Sequence, residues 1–108
     1  MTERLIDLAM EYFRRMGFKV ESNVSLEGMS GSTHSFDFIV KKESEVHPVW
    51  VKDWRRTAGI NVVISLDRAA SDVGLSEPIL ISNKFSEHAK SYAKRRKILL
   101  LTKKNLIL

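Results

Sequence analysis

The sequence predicts an α/β fold, a mixed sheet flanked by helices, in one domain over residues 1–108. Three observations carry this. Apolar side chains recur at helical spacing up to Met16; two β-branched and aromatic runs, Phe36 to Val40 and Val49 to Lys52, flank a charged segment suited to a hairpin; and two continuous apolar runs, 78–81 and 98–101, are separated by a helix-length stretch. The resulting order is helix, three strands, helix, strand, helix, strand.

Residues 2–16 form the first helix, because Leu5, Leu8, Ala9, Tyr12, Phe13 and Met16 fall at i, i+3, i+4, i+7, i+8 and i+11. Thr2 suits its N-cap and Gly17 a left-handed C-cap. Glu11 lies on the polar side, one turn before Arg15, where an ion pair would form. Residues 18–24 alternate Phe18, Val20 and Ser22 against Lys19 and Glu21 as a first strand. Residues 27–35 then hold Gly28 and Gly31 among serines and a threonine, a composition that permits unusual backbone angles and close approach of a ligand. Without a Gly-Lys-Ser/Thr ending it is no phosphate-binding P-loop.

Residues 57–74 contain enough β-branched side chains to pass for a strand, but their length favours a helix. On a helix, Ile60, Val63, Ile64 and Ala70 make one stripe, and Val62, Leu66, Ala69 and Val73 a second on the opposite side. Such a helix is either sandwiched in the core or buried at an interface, and with one sheet to cover the second option points to a homodimer. Pro78 to Ile81 is apolar throughout, as a strand covered on both faces should be. Phe85 and Ser86 then supply an apolar residue and an N-cap for a helix that packs Ala89, Tyr92 and Ala93 inward. Ile98 to Leu101 is the last strand, after which the chain turns once and packs its leucines back.

A chain of 108 residues supports one core without a covalent staple. No apolar run approaches the roughly 20 residues of a membrane span, and the start of the chain has no secretory pattern, so the expected location is cytoplasmic, with no membrane partner. With no cysteine, disulfides, thiolate zinc sites and cysteine nucleophiles are excluded. The net charge of +5 favours anionic partners such as nucleic acid without selecting among them. Lys94, Arg95, Arg96 and Lys97 form one basic block, which equally complements a helix C-terminus, and Lys52, Arg55 and Arg56 form another.

The second block adjoins the stretch that carries the chemistry, SFDFIVKKESEVHPVWVKDW, residues 35–54. Strand alternation places Asp37 with Ile39 on one face, and Trp50, Lys52 and Trp54 together on one face, so Asp37 and Lys52 can face each other across a hairpin. Preceded by Gly28 to Phe36, and followed by a strand, a Phe-Ser turn, a helix, a strand and a final leucine from Pro78 to Leu106, these residues resemble the Mrr-like restriction endonucleases of the PD-(D/E)XK superfamily. That family carries an acid, any residue and lysine on the strand after its aspartate; here the triplet is Trp50-Val51-Lys52, so the second acid is replaced by tryptophan.

The resemblance implies an αβββαβ core with an additional αβ unit. It also implies a divalent cation, Mg²⁺ or Mn²⁺, held by Asp37 and the carbonyl of Val51, with Lys52 as the catalytic lysine and Glu11 as a further metal and catalytic acid. DNA is the implied partner, and homodimers are common among nucleases of this superfamily. His34 is a candidate for the scissile phosphate or a metal-bound water, or is structural. Trp50 and Trp54 either stack on bases around Lys52 or anchor the core, and Arg55 and Arg56 are candidates for the DNA backbone. The expected function is a DNA-binding protein of the Mrr-like nuclease fold with a degenerate endodeoxyribonuclease site. The alternative is a non-catalytic DNA-binding or assembly subunit.

Overall fold

The computed structural model describes residues 4–107, so the expected Thr2 cap lies outside the described residues. The elements are α1 (Leu5–Arg15), β1 (Lys19–Glu27), β2 (Thr33–Lys42), β3 (Glu45–Lys52), α2 (Ile60–Asp72), β4 (Ile79–Ser82), α3 (Glu87–Arg96), β5 (Leu99–Leu101) and α4 (Lys103–Leu106). They build one mixed sheet of order β1-β2-β3-β4-β5, antiparallel through β3 and parallel from β3 to β5. The crossovers through α2 and α3 step in the same direction along the sheet, so right-handedness puts both helices on one face. One core gathers Leu5, Leu8, Phe13 and Leu106 of α1 and α4 against Phe38, Val40, Val49 and Ile81. The opposite core packs Val63, Leu66, Ala89 and Ala93 of α2 and α3 against Phe36, Ile39 and Leu80.

The apolar stripe Val62, Leu66, Ala69 and Val73 of α2 is covered within the chain. Val63, Leu66, Ala69 and Ala70 are buried, Val62 and Val73 pack against the same core, and α3 lies alongside. Asp67 fastens the two helices, accepting from the Tyr92 hydroxyl at 2.7 Å and from Arg96 Nε at 2.9 Å. This bond to a carboxylate pushes the Tyr92 hydroxyl up from its usual value near 10.0. The second stripe is therefore covered within the chain, whereas Ile60 and Ile64 of the first are only partly buried and belong to neither core.

The hairpin turn is tighter than the charged segment suggested, with β2 running to Lys42 and β3 starting at Glu45. Pro48 sits inside β3, opposite Ile39. By alternation with Val51, whose N–H points toward β2, the nitrogen of Pro48 points toward the β4 side, where pairing begins only at Val49. Its missing donor is not needed.

Arg15 donates to the Leu106 carbonyl at 2.7 Å and lies over the Tyr12 ring, tying α1 to α4, so the expected pair with Glu11 gives way to a longer-range contact. The first turn of α1 is capped from a distance: Asp53 Oδ2 accepts the Leu5 N–H at 3.1 Å.

Both strands of the first hairpin run further toward the glycine-rich loop than expected, leaving 28–32 as the connection. This loop is clasped to the end of α2. Asp72 accepts from the Ser30 N–H at 3.0 Å and the Ser30 hydroxyl at 2.6 Å, lies 2.7 Å from His34 Nε2, and offers its own carbonyl to the Met29 N–H. The Ser30 bonds first, then His34, hold the Asp72 carboxyl below its ordinary 3.8. Gly28 passes so close that a Cβ there would meet Asp72 Oδ2 at 2.0 Å.

We expect Gly28→Ala and Asp72→Ala each to speed amide exchange in loop 28–32, and the double variant to be no worse than the worse single, because both remove one clasp. A depressed carboxyl pKa means the clasp is complete at neutral pH and lost as pH falls through a midpoint below 3.8. Following the Ser30 and Ser32 amide resonances through an acid titration measures that midpoint; a midpoint above 3.8 contradicts the clasp.

Candidate active site

β2 and β3 stay paired only as far as Phe38 and Val49. Beyond that point side chains span the gap. Asp37 Oδ2 accepts the Val51 N–H at 2.7 Å, and Trp50 Nε1 donates to the Ser35 carbonyl at 2.9 Å. On the other edge of β2, the register passes from Ser22 and Phe38 to Val24 and Phe36, omitting Asn23 and Asp37. Asn23 has a φ of 52°, left-handed backbone that asparagine tolerates better than most residues. The hairpin changes faces there: Val20 and Phe38 pack with α1, whereas Val24 and Phe36 pack with α2 and α3.

The opening left by the departing strand is a cavity of about 310 Å³ lined by Asn23, Ser25, Ser35, Phe36, Asp37, Trp50 and Lys52. Asp37 and Lys52 thus share one cavity, at the carboxyl end of β3, where parallel α/β sheets commonly place ligands. The N–H and C=O of one strand residue point the same way, so the Val51 carbonyl is directed to the Asp37 side as well. A larger cavity of about 440 Å³ lies at the opposite end of the strands, lined by Tyr12, Phe13, Phe18, His47, Ile79 and Leu99 among others. It contains neither Asp37 nor Lys52, and its size does not make it the chemical site.

Alternating cations and indoles continue from the cavity along the chain. Lys52 Nζ stands 4.7 Å from the centroid of Trp50 and 5.8 Å from that of Trp54, and Arg56 Cζ stands 4.1 Å from Trp54. Each such contact contributes about 0.5–1 kcal/mol when exposed and more when desolvated. The regular strand ends at Lys52, and the Trp54 N–H donates back to the Lys52 carbonyl at 3.0 Å, so Trp54 reaches Lys52 through a tight turn rather than along a strand. This ridge is braced from behind. Ser82 Oγ donates to the Lys52 carbonyl at 2.8 Å, Asn83 Nδ2 to the Trp54 carbonyl at 2.8 Å and to Asp53 Oδ1 at 3.1 Å, and Ala58 bridges to Phe85.

The other expected site residues have separate places. Glu11 is exposed on α1, which packs on the sheet face opposite Trp50 and Lys52, and it does not line the Asp37 cavity. Glu11 and Asp37 are thus not brought together at the cavity among the described residues. His34 is bound to Asp72 and belongs to the loop clasp, outside the cavity. Arg55 and Arg56 are exposed, Arg56 on the indole of Trp54. Asp53, next in sequence to Lys52, turns to α1 and Asn83, as alternation requires, and cannot replace the missing acid.

This donor set does not fit a divalent cation by itself. Mg²⁺ takes octahedral oxygen coordination and releases water reluctantly. Asp37 supplies one carboxylate, with one oxygen already engaged by Val51, the Val51 carbonyl supplies a second donor, and Trp50 supplies none. Among the described residues, no three acids or histidines come together as a metal would need.

Sequence reasoning missed Asn23, Ser25, Ser35, Ser82 and Asn83. Ser82 and Asn83 carried a usable signal, since the residues ending one parallel strand stand beside those ending its neighbour. Asn23 carried little, an asparagine within a run that otherwise reads as a strand.

Comparison with known proteins places this geometry. A family model described as restriction endonuclease, Mrr_cat, matches residues 2–108. No curated protein matches the chain. A crystal structure of a protein of unknown function superposes with a TM-score of 0.81 at 22% identity over 91% of this chain, and a repair endonuclease from Pyrococcus abyssi with 0.68 at 17% identity over 94%. The chain spans 57% and 47% of the lengths of those two proteins, and at such identities the likeness is one of fold. With the sheet, the divergent strands and the family match in agreement, the chain belongs to the Mrr_cat restriction endonuclease family, on the PD-(D/E)XK nuclease fold.

Proposed function

We propose that this chain binds DNA along the carboxyl ends of β3 and β4, and that it has weak or no hydrolytic activity of its own. The observation that carries the first half is the ordered series Trp50, Lys52, Trp54 and Arg56, which presents cations fixed on indole faces beside Asp37. Cations held in place lose less freedom on meeting a phosphate than free side chains do. Exposed Arg55 and Lys84 flank the same ridge, because Lys84 accepts from the Ala58 N–H and so brings the α3 entry loop to it. The restriction endonuclease family and the net charge of +5 both favour DNA as the polyanion.

The second half rests on Trp50. In this family a divalent cation, Mg²⁺ or Mn²⁺, supplies the charge that activates water and stabilises the attacked phosphate. Here the indole occupies the place of a ligand, and its N–H is committed to the Ser35 carbonyl. What remains at the site is the Lys52 ammonium, suited to meeting a phosphate, beside the Asp37 carboxylate and the Val51 carbonyl, which only accept.

Affinity for duplex DNA should fall steeply with salt, by roughly 0.9 logarithmic units per neutralised phosphate, and Arg56→Ala should lower that slope by about one contact. Anisotropy titrations across a salt series measure it; binding that is flat in salt removes the proposed ridge. Trp50→Glu restores a second carboxylate next to Asp37 and should create or raise Mg²⁺-dependent cleavage, which Asp37→Ala in the same background should abolish. Efficient cutting by the unmodified protein, with no gain from Trp50→Glu, sinks the second half of the proposal.

A further inference from the structure

The cavity at Asp37 has the wrong donors for a metal and the right ones for an unpaired nucleobase. We infer that this pocket holds one extrahelical base, so that the preferred ligand is DNA with unpaired nucleotides, with Trp50 as the stacking face and Lys52 at the adjoining phosphate. The inference rests on the DNA-binding reading and narrows its substrate class.

Three features support it. About 310 Å³ is at the low end of ligand pockets and gives room for one nucleobase. Its apolar wall is aromatic: Trp50 and Phe36 lie 6.4 Å apart between centroids, tilted by 34°. Phe36 is buried and backs Trp50, so the ring open to the cavity is that of the half-buried Trp50; enzymes that extract a base stack it on aromatic walls and read its edge through hydrogen bonds.

The polar wall matches a base edge. Asn23 carries both a donor and an acceptor on one amide, and its left-handed backbone keeps it at the cavity where a regular strand residue would be set by the pleat. Ser25 Oγ and Ser35 Oγ lie 3.0 Å apart; one hydroxyl donates to the other, which leaves a spare donor and spare acceptors. The Asp37 carboxylate, with only Oδ2 engaged by Val51, retains acceptor capacity for an exocyclic amino group, as carboxylates accept from cytosine N4. Lys52, over the Trp50 ring at 4.7 Å, places an ammonium at the same opening.

The pocket also explains why Trp50 is held so firmly. An indole used only as core filling needs burial, yet Trp50 is half-buried, lines the opening, and is fixed by its bond to Ser35. Fixing the ring before a base arrives lowers the ordering cost of stacking.

The test compares three DNA duplexes: fully paired, with a single bulged 2-aminopurine, and with a bulged abasic residue. The protein should bind the 2-aminopurine bulge more tightly than the paired duplex by roughly 5- to 150-fold, the worth of one stacked base, and should quench its fluorescence. The abasic bulge should lose that preference. Trp50→Leu should remove both preference and quenching, and Trp50→Phe should restore part of the quenching. If Trp50→Leu does not fold, Asn23→Gly, which suits the left-handed backbone, should lower the preference without changing the salt slope. Equal, salt-sensitive affinity for all three duplexes, with no quenching, overturns the base pocket and leaves the DNA-binding ridge standing. Absence of binding to any of them overturns both.

Discussion

One hydrogen bond sets the spacing on which the site depends, that from the Val51 N–H to the Asp37 carboxylate. A regular sheet would answer that N–H with a carbonyl of β2 and keep the strands about 4.8 Å apart. A side chain answers it instead, so β2 is held off by the length of an aspartate, and the cavity opens in the interval. The arrangement satisfies a donor that would otherwise cost about 1–3 kcal/mol if buried without a partner. It also commits one oxygen of the carboxylate, so only the other is left to face the opening.

Trp50 shows the trade directly. An acid at that position would face the same space as Asp37 and draw in a cation to relieve two neighbouring negative charges. The indole brings no charge, spans to Ser35 through its N–H, and turns its ring to Phe36 and Lys52. Two polar bridges across one gap, one from each strand, make the divergence rigid without any ion. The ridge beyond is rigid for a separate reason, because Ser82 and Asn83 hold the carbonyls of Lys52 and Trp54.

Much of this was legible in the sequence wherever periodicity and burial act together. The helical spacing from Leu5 to Phe13, the continuous runs of β4 and β5, and the Ser86 cap each state a local preference that the fold also satisfies, while Asp37 and Lys52 line one cavity beyond the last paired residues of β2 and β3. What was hidden depends on long-range partners. His34 looked free because nothing in the sequence announces that Asp72, 38 positions away, will receive it. Glu11 looked available because a helix position does not reveal which face of the sheet the helix covers. The double stripe of α2 was legible as a pattern, but whether α3 or a second chain would cover it was a matter of topology.

The cap on α1 has a consequence for how the molecule assembles. A helix of 11 residues is marginal in water without tertiary support, and this one draws its N-terminal cap from Asp53, 48 positions along the chain and directly after Lys52. Its docking surface includes β3, β4 and β5. During synthesis α1 is the first of these elements to emerge and among the last to be consolidated, waiting in solution until the strand that bears the lysine has been made and paired. The capped helix therefore requires that the segment directly after the lysine already be in place.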